Sequence, residues 1–162
     1  QPGCAVVGVD GSEPMLRLAG IRVADAGLEG RVRLERRRLP EPNLAGAAVD
    51  AVISNSLLHH LANPLVLWET VLACTRPGAA VFVMDLRRPP DESAAERLVE
   101  RYAAGAPEVL RRDFRASLHA AFEPAEVAEQ LSRAGLAELA VEALGDRHLV
   151  VSGTRSQPGS TW

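Results

Sequence analysis

The stretch Ala5-Val6-Val7-Gly8-Val9-Asp10-Gly11-Ser12 decides the fold. An apolar run that ends in one carboxylate and then turns reads as a buried parallel strand. It delivers Asp10 to the carboxyl edge of a sheet, where open α/β sheets bind ligands. Ser12 is placed to cap the following helix, and Pro14 falls in its first turn. A carboxylate at a strand end beside a helix start suits paired hydroxyls such as those of a ribose, because it accepts two charge-assisted hydrogen bonds. The other role open to Asp10 is local, capping the next turn or helix.

Outward from that stretch, strands and helices alternate without a repeat or an internal linker. Strands are expected at Ala5 to Asp10, Val32 to Arg37, Val49 to Asn55, Ala80 to Leu86, Leu139 to Leu144 and His148 to Ser152. The first helix runs from Glu13 to Ala26 and closes on Gly27. The second starts at Asn63-Pro64, with Leu65, Trp68, Val71 and Leu72 on one face. A third covers Ser93 to Ala104, a less regular helical stretch spans Pro107 to Ala121, and the last runs from Pro124 to Ala134-Gly135-Leu136. Such interleaving predicts an α/β fold, a mainly parallel sheet covered on both faces. Only Gly145, Asp146 and Arg147 join the last two strands, too few for a parallel crossover, so these two must be antiparallel.

Bulk properties exclude several classes. With 162 residues, 47% of them hydrophobic, the chain has the material for one domain with a sizeable core. Residues 1–155 form that domain, and 156–162 read as a flexible polar tail. The net charge of -3 argues against a nucleic-acid surface. All 18 basic residues are arginine, the mark of a GC-rich coding bias, so Arg36-Arg37-Arg38 reads as a solvated strand end rather than a phosphate clamp. Cys4 and Cys74 show neither metal-ligand spacing nor a disulfide framework, which predicts a reducing cytoplasm and no metal. No apolar run has membrane length, and no membrane partner is expected.

Taken together, these segments resemble the class I S-adenosylmethionine-dependent methyltransferases, in the broad group that includes quinone-biosynthesis and other small-molecule enzymes. Ala5 to Ser12 is similar to that family's second strand with its ribose-binding acid. Val49 to Leu61, which contains Asn55-Ser56-Leu57-Leu58-His59-His60, is similar to its fourth strand and the cofactor-facing segment after it. Arg76-Pro77-Gly78 with Ala79 to Asp85 resembles its fifth strand, and the closing hairpin its reversed last strand. The resemblance implies a Rossmann-like sheet, S-adenosylmethionine as cofactor and a small-molecule acceptor. It also implies a first strand and a glycine-rich loop before the second strand. Gln1-Pro2-Gly3 stands where the intervening helix should already be ending, so the chain is expected to be a fragment without that unit. The strands at Asp10 and Asn55 should then face a gap, with an exposed apolar groove beside it.

The same resemblance distributes roles. Asp10 binds the ribose; Gly11, Ser12 and Met15 border the adenine, unless Met15 is ordinary helix-to-sheet packing. No acid stands where the family often meets the adenine amino group, so backbone near Arg38 and Leu39 is expected there. Asn55 and Ser56 lie beside the cofactor. His59 and His60 are candidate general bases, with His59 closer to the strand end, and either could instead cap or pack. Asp85 faces the acceptor side, or is a buried carboxylate satisfied by backbone N–H groups. Arg112, Asp113 and His119 could meet a polar acceptor or lie on a solvated helix face. Two alternatives remain open: a non-catalytic methyltransferase-like module and a nicotinamide-dependent oxidoreductase. The second lacks a tyrosine and lysine pair, since lysine is absent.

Overall fold

A computed structural model describes residues 3–40 and 48–156. The elements follow the alternation read from the sequence: β1 (Val6–Asp10), α1 (Glu13–Asp25), β2 (Val32–Arg36), β3 (Val49–Asn55), α2 (Leu65–Cys74), β4 (Thr75–Leu86), α3 (Glu92–Ala103), α4 (Glu108–Ala120), α5 (Pro124–Arg133), β5 (Ala140–Leu144) and β6 (His148–Thr154). Of the expected tail at 156–162, Ser156 donates its amide to Glu138 at 2.8 Å, and 157–162 lie outside the described residues.

Local chemistry sets the helix ends. Ser12 Oγ accepts from the Met15 amide at 3.4 Å, and Pro14 occupies the first turn of α1. At the other end Gly27 takes a φ of +63°, and the Leu28 amide reaches back to the Val23 carbonyl at 3.0 Å. The closure of α5 repeats this, with Leu136 donating to Leu131 at 2.8 Å past Gly135. Glu123 and Glu126 form a reciprocal capping box before α5. The Pro107 to Ala121 stretch is more regular than its sequence suggested. It forms an unbroken α4 whose Leu118 is fully buried against Leu98 and Val99 of α3.

Strand order in the larger sheet is β3-β4-β6-β5. β3 and β4 run parallel, while β6 is antiparallel to both β4 and β5. The expected insertion of the His148 strand beside the Val81 strand is therefore present, with Val81 opposite Gly153. β4 begins earlier than expected, directly after α2. Val49 pairs with Thr75 but Ala51 pairs with Ala80, so Arg76-Pro77-Gly78 bulges out between them. Pro77 has no amide to give the ladder, and Gly78 takes a φ of +85° that turns the bulge back into register.

β1 and β2 form a separate parallel pair, Val6 opposite Val32 through Asp10 opposite Arg36. Among the described residues no ladder joins β1 to β3.

Two expectations need correction. β1 is not a buried strand: none of its residues is fully buried, because among the described residues β2 is the only strand beside it. Nor is the larger sheet covered on both faces. Val81, Val83 and Asp85 of β4, with Leu149 and Val151 of β6, lie under α2 and α5, where Trp68, Val71, Val127 and Leu131 complete the core. The residues alternating with them face outward, leaving Ile53 at 78% and Phe82 at 42% exposure. Both faces of β4 are apolar in sequence, so periodicity alone could not tell the packed face from the bare one. Met15, Leu18 and Ile21 add an exposed apolar stripe on α1. Among the described residues no helix is long and apolar enough to cross a membrane.

Cooperative burial is thus concentrated in the larger sheet. Native-state hydrogen exchange should protect the amides of Val81, Val83 and Val151 far more than those of Val7 and Val9. Leu149→Ala, which empties a fully buried position, should cost about 2–5 kcal/mol in chemical denaturation.

Candidate functional site

The carboxyl end of β3 leads into a short, strained connection. Ser56 holds a φ of +53°, a conformation that costs a residue with a Cβ roughly 1–2 kcal/mol. Its amide donates to the Met84 carbonyl at 2.9 Å, which extends the ladder to β4 by one bond. Leu58, 1% exposed, then drops into the core as Leu58–His60 make a single 3-10 turn.

Asp85 holds that turn in place. Its carboxylate is buried and accepts from the Leu58 amide at 2.7 Å, the Leu86 amide at 2.8 Å and His59 Nδ1 at 2.5 Å. The expected satisfaction by backbone N–H groups is realised, and a histidine is added. His59 is itself buried, its side chain only 4% exposed. His60, next in the chain, is exposed and stacks on His59 with ring centroids 4.0 Å apart. Partial burial pulls the His60 imidazole below its ordinary pKa, and the neighbouring His59 adds to this against an opposing pull from Asp85.

The other cluster sits at the end of β1. Asp10 Oδ1 accepts from the Ser12 amide at 2.7 Å, so the local role foreseen for this residue is real. Its second oxygen accepts no hydrogen bond among the described residues. Gly11 packs closely on the chain after β2. A Cβ there would meet Arg38 Cγ at 3.4 Å, and the Gly11 carbonyl accepts from Arg36 Nε at 3.4 Å. Met15 is 53% exposed on α1 rather than packed. Leu39 reaches the main core instead, against the cluster that contains Leu58. Arg37 pairs with Glu35 at 3.2 Å, in keeping with a solvated strand end.

The structure therefore brings His59, His60 and Asp85 together, directly after Asn55 and Ser56. Asp10, Gly11, Ser12 and Met15 form a second group, and among the described residues no hydrogen bond joins the two. Arg112, Asp113 and His119 lie on the outer surface of α4. There Arg112 pairs with Asp113 at 3.5 Å and His119 with Glu92 at 3.0 Å, which is a solvated helix face.

Residues at the β5–β6 hairpin escaped the sequence reading. His148 opens β6 opposite Leu86, which places it at the carboxyl end of β4. Burial lowers its pKa, and Arg147 lowers it further. Asp146 accepts from the Tyr102 hydroxyl at 2.9 Å and pairs with Arg101 at 3.0 Å. Arg147 lies over the Tyr102 ring at 3.5 Å, and the Arg87 amide donates to the Arg147 carbonyl at 2.8 Å. The signal was the hairpin itself: its register puts residue 148 beside residue 86.

Comparison with known proteins places the chain. The family described as "Methyltransferase domain" matches residues 1–81, and the chain belongs to that family. The ubiquinone biosynthesis O-methyltransferase of Parvibaculum lavamentivorans is 27% identical over 86 residues, 53% of this chain and 33% of that protein. The match thus spans about a third of the curated relative's length. An S-adenosylmethionine-dependent methyltransferase from Aquifex aeolicus superposes with a TM-score of 0.63 at 18% identity, covering 93% of this chain and 68% of that one. A possible exported protein from Bordetella parapertussis gives 0.71 at 20% identity, covering 96% and 55%. The fold is the Rossmann-like methyltransferase fold, mixed rather than fully parallel.

Two outcomes follow from the geometry. Asp85→Ala leaves two buried amides and His59 without their acceptor, and should cost about 3–5 kcal/mol in urea denaturation. His60 and His148 both have lowered pKa values in the folded state, so the unfolded chain binds more protons near pH 6. Stability should be full above about pH 6.5 and fall as the solution is acidified from there. His60→Gln combined with His148→Gln should flatten that fall, read as the urea midpoint at pH 7.5 and 5.5.

Proposed function

We propose that the protein transfers a methyl group from S-adenosylmethionine to a small-molecule acceptor. The observation that carries this is Asp10: one oxygen is fixed by the Ser12 amide, and the other is left open at the strand end, as a ribose hydroxyl requires. Family membership and the named activities of the P. lavamentivorans and A. aeolicus proteins support the reading. When bound, the cofactor supplies a methyl group on a positively charged sulfur, open to in-line attack.

Each part of the chain then has its task. Asp10 accepts from the ribose, while Gly11, Ser12 and Met15 border the adenine, with backbone near Leu39 beside it. Asn55 and Ser56 line the cofactor at the end of β3, where the left-handed Ser56 bends the chain away from the strand direction. His60 is the group able to take a proton from an acceptor hydroxyl, being exposed and held neutral at pH 7 by its lowered pKa. His59 and Asp85 act through it: their buried hydrogen bond fixes the turn on which His60 stands. α4 packs on that turn and limits water there.

The test is binding of S-adenosylhomocysteine to the protein by calorimetry. Asp10→Ala should weaken it by about 1.5–3 kcal/mol, the range for hydrogen bonds to a charged group. Unchanged affinity would remove Asp10 from the site.

A further inference from the structure

We infer that the corner made by Arg87, Arg147 and His148 recognises a carboxylate on the acceptor molecule, an inference that rests on the methyl-transfer reading of the adjoining strand ends. The corner lies immediately past the carboxyl end of β4. Arg87 is the first residue after the strand, and His148 pairs with the last residue in it. His148 is next in the chain to Leu149, which pairs with Asp85, and Asp85 in turn holds the turn that carries His60. The corner and the proposed base therefore both lie at the carboxyl end of β4.

Its positive charge exceeds its negative charge, since the Asp146 carboxylate answers to both Arg101 and Arg147. Arg87, Arg101 and Arg147 converge there from three elements, and Asp146 is the carboxylate among them. Asp146 is already engaged by Arg101 and by both of its oxygens to Tyr102. Among the described residues neither Arg87 nor Arg147 has a carboxylate within ion-pair distance, although both are half-buried. Arg87 Nη2 makes only long contacts, 3.5 Å and 3.3 Å, to the Gly145 and Asp146 carbonyls. A partly desolvated guanidinium without an anion is costly, and a carboxylate ligand removes that cost.

The geometry is also built in advance. The Arg147 guanidinium lies over the Tyr102 ring, its central carbon 3.5 Å from the centroid, a contact that restricts its movement. Tyr102 is held in turn by Asp146 on the hairpin, so the platform joins α3 to β6. The half-buried His148 beside them brings no negative charge of its own to the corner.

The experiment uses salicylate, which carries a hydroxyl beside a carboxylate, and its neutral counterpart salicylamide, each titrated into the uniformly nitrogen-15-labelled protein without cofactor. Salicylate should shift the Nε–H signals of Arg87 and Arg147 and the ring signals of His148. It should bind about fivefold more tightly than salicylamide, the gain of one partly exposed charge pair. Arg147→Gln and, separately, Arg87→Gln should abolish that preference. Because Arg87→Gln leaves the Tyr102 stack intact, it remains informative if Arg147→Gln unfolds. Equal binding of the two probes, no binding of salicylate, or full preference in Arg87→Gln overturns the inference. S-adenosylhomocysteine binding, measured separately, reports on the methyl-transfer reading alone.

Discussion

One buried carboxylate organises this molecule. Asp85 sits near the end of the central strand, with no access to water, and must find its hydrogen bonds inside the protein. It takes two from backbone amides and one from His59, and two of those three partners belong to the turn after β3. The end of β3, the end of β4 and the 3-10 turn are therefore locked as one unit. The strained Ser56 is tolerated because this unit over-determines its conformation.

The helix pair α3–α4 is fastened to the same end by a different means. Its contact with the sheet includes one small apolar cluster, in which Leu86 and Phe114 flank Leu98, Val99 and Leu118. Around that cluster run charged links: Arg101 and Tyr102 to Asp146 on the hairpin, and Arg88 to Glu126 on α5. The Arg88 partner holds the Glu126 carboxyl below its usual range. Apolar packing locates the pair, and polar contacts at its ends fix its orientation. With such a mounting the peripheral links can change without loss of the core.

Much of this was legible in the chain. Ser12-Glu13-Pro14, Gly27 and Ala134-Gly135-Leu136 carry helix-end chemistry that acts over four or five residues, and the structure realises it at those positions. The three-residue link at 145–147 fixed the antiparallel hairpin by length alone. The side of a sheet that receives a helix is a different kind of fact. Val81 and Phe82 are equally apolar, and only the tertiary arrangement buries one to 2% and leaves the other at 42%. The same holds for the site. His59 and His60 are chemically identical in sequence, yet the 26-residue reach of Asp85 buries the first and leaves the second at the surface. The cluster at Arg147 was invisible because its members lie on α3, β4 and the hairpin, with nothing in their spacing to join them.

The placement of β6 has a consequence for how the chain comes into being. β4 is complete at Leu86, but its partner on one side is the strand that ends at Thr154, with Ala80 paired to that last residue. A nascent chain leaving the ribosome exposes one edge of β4 until the residues through Thr154 have emerged. Through that interval the free edge is a template for pairing with any neighbouring chain. The long sequence separation also slows closure of the central ladder after release. The β5–β6 hairpin is therefore the step that commits the molecule, and yield in a cell depends on how quickly β6 arrives.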